Sequence, residues 1–305
     1  MKSKYYDVAA VREAISSIVP SISTPFLENG DVDFATLKSM TDFLIESGAK
    51  TLLLTYGDSV FSILTDQEIF DVTRTVVDAA DHRAMVIGCT KQWCLPQAVE
   101  YAQACTDMGC DLVIPVPPDW AQHCDTDMLR KYFETIGAIA PAMLLSNLMS
   151  GRGIPMSLYE QLGPEQGIVA VKDDMPGNYG RRMGPIIKDR MAFLSGGLVE
   201  NFIDAASYGA DGYLSIFARM FPELEKPFFK AVKEGRYTEA AEFVSTVEAP
   251  FLDWCAQNGA CFDAGIRGMM EIAGVAKRFC RMPYSHLNDA QMESLRAFLQ
   301  VRNII

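Results

Sequence analysis

No apolar run in this 305-residue chain approaches the roughly 20 residues that span a bilayer, so a membrane-spanning helix is not expected. The eight cysteines form no Cys-x-x-Cys, and His82, His123 and His286 have no ligand spacing to one another or to them, so no metal site is expected. No Gly-x-Gly-x-x-Gly follows a strand-like run, which removes the dinucleotide fingerprint, and no phosphate loop is present. Positive charge is in deficit: 27 Lys and Arg stand against 39 Asp and Glu, a net charge of −12. That balance disfavours nonspecific attraction to nucleic acid or to an anionic membrane. It leaves an anionic small substrate open, since one pocket cation or a helix N-terminus can hold a carboxylate. Residues 1–7 lack the apolar core of a signal peptide, and the cysteines then read as reduced thiols of a cytoplasmic protein.

What is present is alternation. Hydrophobic residues at 49% and charged residues at 22% are ordinary for a globular protein. Short β-like runs at 18–24, 51–54, 85–89, 112–115, 142–146, 168–172, 192–195 and 213–216 alternate with helical segments such as 33–46, 66–80, 95–108 and 128–139. Thr65-Asp66-Gln67-Glu68 is a capping-box signature. Glycine recurs where a helix stops and a strand begins, in Ser47-Gly48-Ala49-Lys50, Met108-Gly109-Cys110-Asp111 and Tyr208-Gly209-Ala210-Asp211. Eight strands before Pro222 predict a (β/α)8 TIM barrel over 1–221, followed over 222–305 by the last barrel helix and a helical extension. Helical spacing in the extension covers 223–233, 238–255, 262–279 and 288–301. A doubly wound open sheet is the alternative.

In Gly-Ile-Val-Ala-Val-Lys-Asp-Asp the run 167–171 reads as a strand buried on both faces, which puts Lys172 at its carboxyl end. Scarce water there disfavours the ammonium form, and a neutral amine can attack a carbonyl to form a Schiff base. The alternative is a strand-end ion pair with Asp173 or Asp174. In a barrel the loops at the carboxyl ends of the strands converge, which gathers Thr24, residues 55–59, Thr90, Lys91, residues 117–119, Ser146, Asn147, Gly196, Gly197 and Ser215 around that lysine. Hydroxyls, glycine amides and one lysine suit a carboxylate next to a ketone.

These residues resemble a family, the class I aldolases grouped as dihydrodipicolinate synthase and N-acetylneuraminate lyase. The likeness runs from Pro20-Ser21-Ile22-Ser23-Thr24-Pro25-Phe26 and Asn29-Gly30-Asp31-Val32-Asp33 through Leu64-Thr65-Asp66-Gln67-Glu68 and Val169-Ala170-Val171-Lys172-Asp173. Leu194-Ser195-Gly196 and Gly209-Ala210-Asp211-Gly212-Tyr213-Leu214-Ser215 complete it. The resemblance implies a lyase that joins Lys172 to a 2-oxo acid, pyruvate or a 2-keto-3-deoxy sugar acid, for aldol cleavage, condensation or dehydration. It also implies no cofactor and a homo-oligomer, a homotetramer or dimer.

The chain departs from the family at three places, one of them Pro115-Val116-Pro117-Pro118-Asp119-Trp120 after the fourth strand, where the aromatic that closes the site is not evident. The tyrosine that members commonly carry after the fifth strand falls on Ser146 or Asn147 within Ser146-Asn147-Leu148-Met149-Ser150-Gly151-Arg152, so the phenol is missing. The loop that holds the substrate carboxylate after the second strand reads Thr55-Tyr56-Gly57-Asp58-Ser59, in either of two registers. Lys172, Ser146, Tyr56 and Asp58 are therefore the catalytic candidates, and Thr55, Gly57, Ser59, Asn147, Arg152, Gly196 and Ser215 the substrate-binding ones. Four of them have a plain structural role as the alternative: a loop aromatic for Tyr56, a turn or cap for Asp58, a backbone-bonded serine for Ser146, a solvated arginine for Arg152. Two other readings stand beside the lyase: an authentic 4-hydroxy-tetrahydrodipicolinate synthase, and a noncatalytic barrel that binds a 2-oxo acid without turning it over.

Overall fold

The computed structural model describes residues 3–305; Met1 and Lys2, part of the amino-terminal segment read above, lie outside the described residues. Eight short segments, most of them buried on both faces, form one parallel sheet. They are β1 (Ile18–Pro20), β2 (Thr51–Leu53), β3 (Met85–Cys89), β4 (Leu112–Ile114), β5 (Ala142–Leu145), β6 (Ile168–Asp173), β7 (Ala192–Ser195) and β8 (Gly212–Ser215). Their order is β1-β8-β7-β6-β5-β4-β3-β2. The two ends meet through a parallel bridge between Ser21 and Leu53, where the Ile22 amide donates to the Leu53 carbonyl at 2.8 Å. The result is a nearly closed (β/α)8 TIM barrel with helices at its carboxyl terminus, as the alternation predicts.

Helices α1 (Val8–Ile15), α2 (Phe34–Glu46), α3 (Asp66–Ala80), α4 (Leu95–Met108), α5 (Thr126–Gly137), α6 (Met156–Gln161), α7 (Gly177–Ile187) and α8 (Glu200–Ala205) accompany the strands. The carboxyl-terminal set is α9 (Lys226–Lys233), α10 (Tyr237–Phe243), α11 (Ala249–Gln257), α12 (Phe262–Ile272) and α13 (Asp289–Val301). The capping box at Thr65 forms, with the Glu68 amide on the Thr65 hydroxyl at 3.2 Å and the Thr65 amide on the Glu68 carboxylate at 2.9 Å. The glycine junctions at Gly48, Gly109 and Gly209 hold φ of 97°, 91° and 108°, a region closed to most side chains. Two of them perform the same task. In Gly109-Cys110-Asp111 the aspartate accepts from the Val86 amide, and in Gly209-Ala210-Asp211 it accepts from the Phe193 amide, both at 2.8 Å. The repeat thus pins the start of each strand to its neighbour at the bottom of the barrel.

The extension differs in detail from its periodicity. Residues 238–255 predict one helix, but the ladder widens into a π turn at Val244–Glu248 between α10 and α11. Pro250, in the first turn of α11, has no N–H to give the preceding turn. Residues 262–279 predict a helix that instead ends at Ile272, and Gly274 follows with φ 76°.

Three arginines, one in the turn after β8 and two in the extension, reach the loop after β1. Arg219 donates to the Ser23 hydroxyl at 2.5 Å and Arg267 to the Thr24 carbonyl at 2.9 Å. Arg281 donates to the Gly30 carbonyl at 2.8 Å, stacks over Phe26, and pairs with Glu68 at 2.7 Å. That guanidinium, together with the cap, holds the Glu68 carboxyl down to about 2 although burial opposes it. The extension is thereby fixed over the carboxyl ends of the strands. No helix among the described residues is long and apolar enough to cross a membrane.

Candidate active site

The β6 run carries Lys172 into the barrel, where the residue is only 4% exposed. Side chains alternate along an extended chain, so Lys172 and Asp174 turn to one side and Asp173 to the other. The Lys172 ammonium donates to Asp174 Oδ1 in a close ion pair. Asp173 points instead to Ser146, whose hydroxyl donates to it at 2.5 Å and accepts from the Asp174 amide at 3.1 Å. Burial pushes the Asp173 carboxyl above its ordinary value. Gly196, just past β7, lies so close to Asp174 Oδ1 and the Lys172 amine that a Cβ there has no room.

A second ion pair faces the first. Arg219, in the turn after β8, is 1% exposed and sits 3.1 Å from Asp58 Oδ1. Burial alone would raise Asp58; Arg219, Lys172 and the Ser21 hydroxyl outweigh it and hold the carboxyl below its ordinary value. The loop that carries Asp58 is tied from within. The Asp58 amide donates to Thr55 Oγ1 at 2.9 Å, the Thr55 amide to Ser59 Oγ at 3.0 Å, and the Ser59 hydroxyl to the Ile22 carbonyl at 2.6 Å. It leaves through Val60 with φ 51°, a conformation rare for a β-branched residue.

Lys172 and Asp174 from the first pair and Asp58 from the second line a cavity of about 340 Å³. Ile114, Leu145, Met149, Leu198, Ile216 and Phe262 make its walls apolar, and Phe262, the first residue of α12, brings the extension into the lining. The Cys89 thiol lines it too and is pushed up to about 12 by burial. Burial likewise raises the half-buried Tyr56 phenol, which stays protonated at neutral pH. The buried Asn147 Oδ1 has no hydrogen-bond partner among the described residues. On the far side of Gly57, Asp58 and Phe262 lies a second chamber of about 550 Å³, bounded by Arg219 and Tyr284.

Of the residues singled out in the sequence, the structure gathers Lys172, Tyr56, Asp58, Thr55, Gly57 and Asn147 around one cavity. Ser146 and Gly196 stand behind Lys172 and Asp174 rather than in the lining. Ser59 braces the loop. Ser215 is buried beneath the cavity, where its hydroxyl contacts Glu225 and accepts from the Ala218 amide at 2.8 Å. Arg152 lies outside the lining. It donates through Nε to Asp119 at 2.9 Å and also contacts the Cys124 carbonyl. Burial would raise Asp119, but Arg152 and Ser150 hold it well below the usual carboxylate range.

Three participants escape the sequence reading. Asp174 enters it only as an alternative counter-ion, although the period of two already sets it beside Lys172. Arg219 carried a signal as the one charge in Ile216-Phe217-Ala218-Arg219-Met220-Phe221. Phe262 carried none, since its helix reaches the site only through tertiary packing.

Residues 14–302 match the dihydrodipicolinate synthetase family. The 4-hydroxy-tetrahydrodipicolinate synthase of Geobacter metallireducens is 24% identical over 293 residues, spanning 94% of this chain and 98% of that protein. Among solved structures, a catalytic lysine mutant of Ruminococcus gnavus sialic acid aldolase superposes with a TM-score of 0.84 at 18% identity, covering 96% of this chain and 97% of that one. A prophage protein of the dihydrodipicolinic acid synthase family from E. coli K12, in complex with pyruvate, gives a TM-score of 0.81 at 22% identity, covering 95% and 99%. With a family match that runs nearly end to end on this barrel, the chain belongs to the dihydrodipicolinate synthetase family, a family of lyases.

Proposed function

We propose that the protein forms a Schiff base between Lys172 and the carbonyl of a 2-oxo acid, as a step in aldol cleavage, condensation or loss of water. One observation carries this reading: a buried amine at the carboxyl end of β6 opens into a largely apolar cavity of about 340 Å³. The lysine mutant of the sialic acid aldolase and the pyruvate complex of the E. coli protein support it by likeness.

The residues of this chain divide the work. Thr55 Oγ1 already accepts from the Asp58 amide, which leaves its own proton for a substrate carboxylate. Gly57 lies in the same wall. Asn147 Oδ1, without a partner among the described residues, awaits a hydroxyl on the substrate. The apolar walls limit the water around the reacting groups, which strengthens charge interactions beside them. Tyr56 as a protonated phenol can exchange a proton with the departing or entering fragment, while Asp58, a carboxylate paired with Arg219, sets the charge of that wall. As the imine draws electrons from the adjoining bond, that bond breaks or forms.

Ser146 gives its hydroxyl to Asp173 and so holds the strand-end turn rather than the reaction. The missing phenol weighs against the 4-hydroxy-tetrahydrodipicolinate synthase activity named for the curated relatives. We propose a homo-oligomer as well, supported by Trp120 in the loop after β4, which is 83% exposed in the single chain.

The test is turnover. Pyruvate released from 4-hydroxy-2-oxo acids, followed with lactate dehydrogenase, should be found with the wild-type protein and fall to background with Lys172→Ala. Equal release by both proteins would refute a lysine-dependent lyase.

A further inference from the structure

We propose that Asp174 moves the protons at the Lys172 amine: it takes one from the ammonium to free the nucleophile and returns it to the carbinolamine oxygen, which leaves as water. This inference rests on the Schiff-base reading.

Asp174 is the carboxylate that touches the reacting nitrogen, and its side chain, 24% exposed, also lines the substrate cavity. It therefore faces both the amine and the place where a carbonyl must arrive. Its position is built: the Asp174 amide is fixed on Ser146 Oγ at 3.1 Å, and Gly196 is bare where the carboxylate would meet a Cβ.

The other proton carriers nearby are committed elsewhere. Asp58 stands on Arg219 at 3.1 Å, and Asp173 takes hydrogen bonds from Ser146 and the Met175 amide. Neither Tyr56 nor Cys89 bonds to the Lys172 amine among the described residues, and burial keeps both protonated.

The steps balance. The ammonium gives a proton to the Asp174 carboxylate, leaving a neutral amine and a carboxylic acid. The amine nitrogen bonds to the substrate's C2, and one of its protons passes to the former carbonyl oxygen, giving a neutral carbinolamine. The Asp174 acid protonates that hydroxyl, the C2–O bond breaks, and water departs. The nitrogen lone pair closes the C2=N bond of the protonated imine, and Asp174 is a carboxylate again.

A purely electrostatic partner makes the opposite prediction. An anion beside an ammonium favours the charged form, so removing its charge would free neutral amine and speed imine formation. A proton carrier makes removal slow, by the roughly 10² to 10⁴ that acid-base assistance supplies.

The experiment is a rapid-quench time course at pH 7 with pyruvate and a panel of larger 2-oxo acids. Borohydride traps the imine, and intact mass reads the adduct for the wild-type protein and Asp174→Asn. Asp174→Ala is run with and without formate as an external proton carrier; it carries the comparison alone should the Asn variant fail to fold. We expect the Asn variant to be slowed about 100-fold or more, and formate to recover a measurable part of the loss in the Ala variant. An adduct at the wild-type rate or faster in Asp174→Asn, or no response to formate in Asp174→Ala, overturns the proposal while the Schiff-base reading stands. No adduct with the wild-type protein on any of the acids takes both down together.

Discussion

Glu225→Gln should flatten the pH dependence of stability. Glu225 is fully buried beside Ser215 and Tyr213. Burial, reinforced by the charge of Glu248 and only partly offset by its hydrogen bonds, pushes its carboxyl from 4.5 up to about 8. Glu248, which accepts from the Val199 and Glu200 amides at 2.6 and 3.1 Å, is raised by burial to about 7. A raised carboxyl means that the folded state keeps a proton the unfolded chain has lost. Stability is then complete below about pH 4.5 and drains away as pH rises toward 8. In the middle of that window one retained proton corresponds to roughly 1.4 kcal/mol per pH unit, or about 2.7 kcal/mol between about pH 5.5 and 7.5.

Glutamine cannot ionise, yet it keeps an acceptor for the Ser215 hydroxyl. The comparison cancels whatever the two proteins share. Asp58, Glu68 and Asp119 ionise below the ordinary carboxylate range and are silent in this window. Asp111, Asp173 and Asp211 are raised equally in both. Urea unfolding at several pH values across the window, at fixed ionic strength and protein concentration, gives the two curves. The variant should gain about 2 to 3 kcal/mol on the wild-type protein from the acid to the basic end. Parallel curves would refute the assignment of a protonated, buried Glu225.

Two further substitutions separate the cavity from its scaffold. Gly196→Ala places a methyl group against Asp174 and the Lys172 amine; imine trapping should fall by about tenfold or more, with a stability loss of roughly 1 to 3 kcal/mol from overpacking. An unchanged trapping rate would show that this approach is not needed. Arg152→Gln leaves the buried Asp119 without its guanidinium, which should cost roughly 3 kcal/mol in chemical denaturation while the folded variant still forms the Lys172 adduct at the wild-type level. A lost adduct in folded protein would instead put Arg152 in the substrate site.

The barrel was legible because its strands are short, rich in β-branched residues and punctuated by glycine, a pattern that burial on both faces imposes on each strand locally. Lys172 was legible for the same reason, as a charged residue ending an apolar run. The break between α10 and α11 was less so, because apolar spacing continues through Pro250 while the hydrogen-bond ladder does not. Partnerships across the chain were not legible at all. Whether Asp58 is a turn residue or a cavity carboxylate depends on Arg219, and whether Arg152 grips substrate or scaffold depends on Asp119, and neither contact leaves a mark in local sequence. The missing phenol was visible, but the carboxylate set against the lysine gained meaning only once Gly196 and Ser146 were seen to position it.

The central claim is that Lys172 captures a carbonyl carbon. Incubation with pyruvate and a panel of larger 2-oxo acids, reduction with borohydride, and peptide mapping test it directly, with Lys172→Ala as control. A reduced adduct on Lys172, absent from the variant, is the predicted result. An adduct elsewhere, or none with any acid in the panel, would contradict the account.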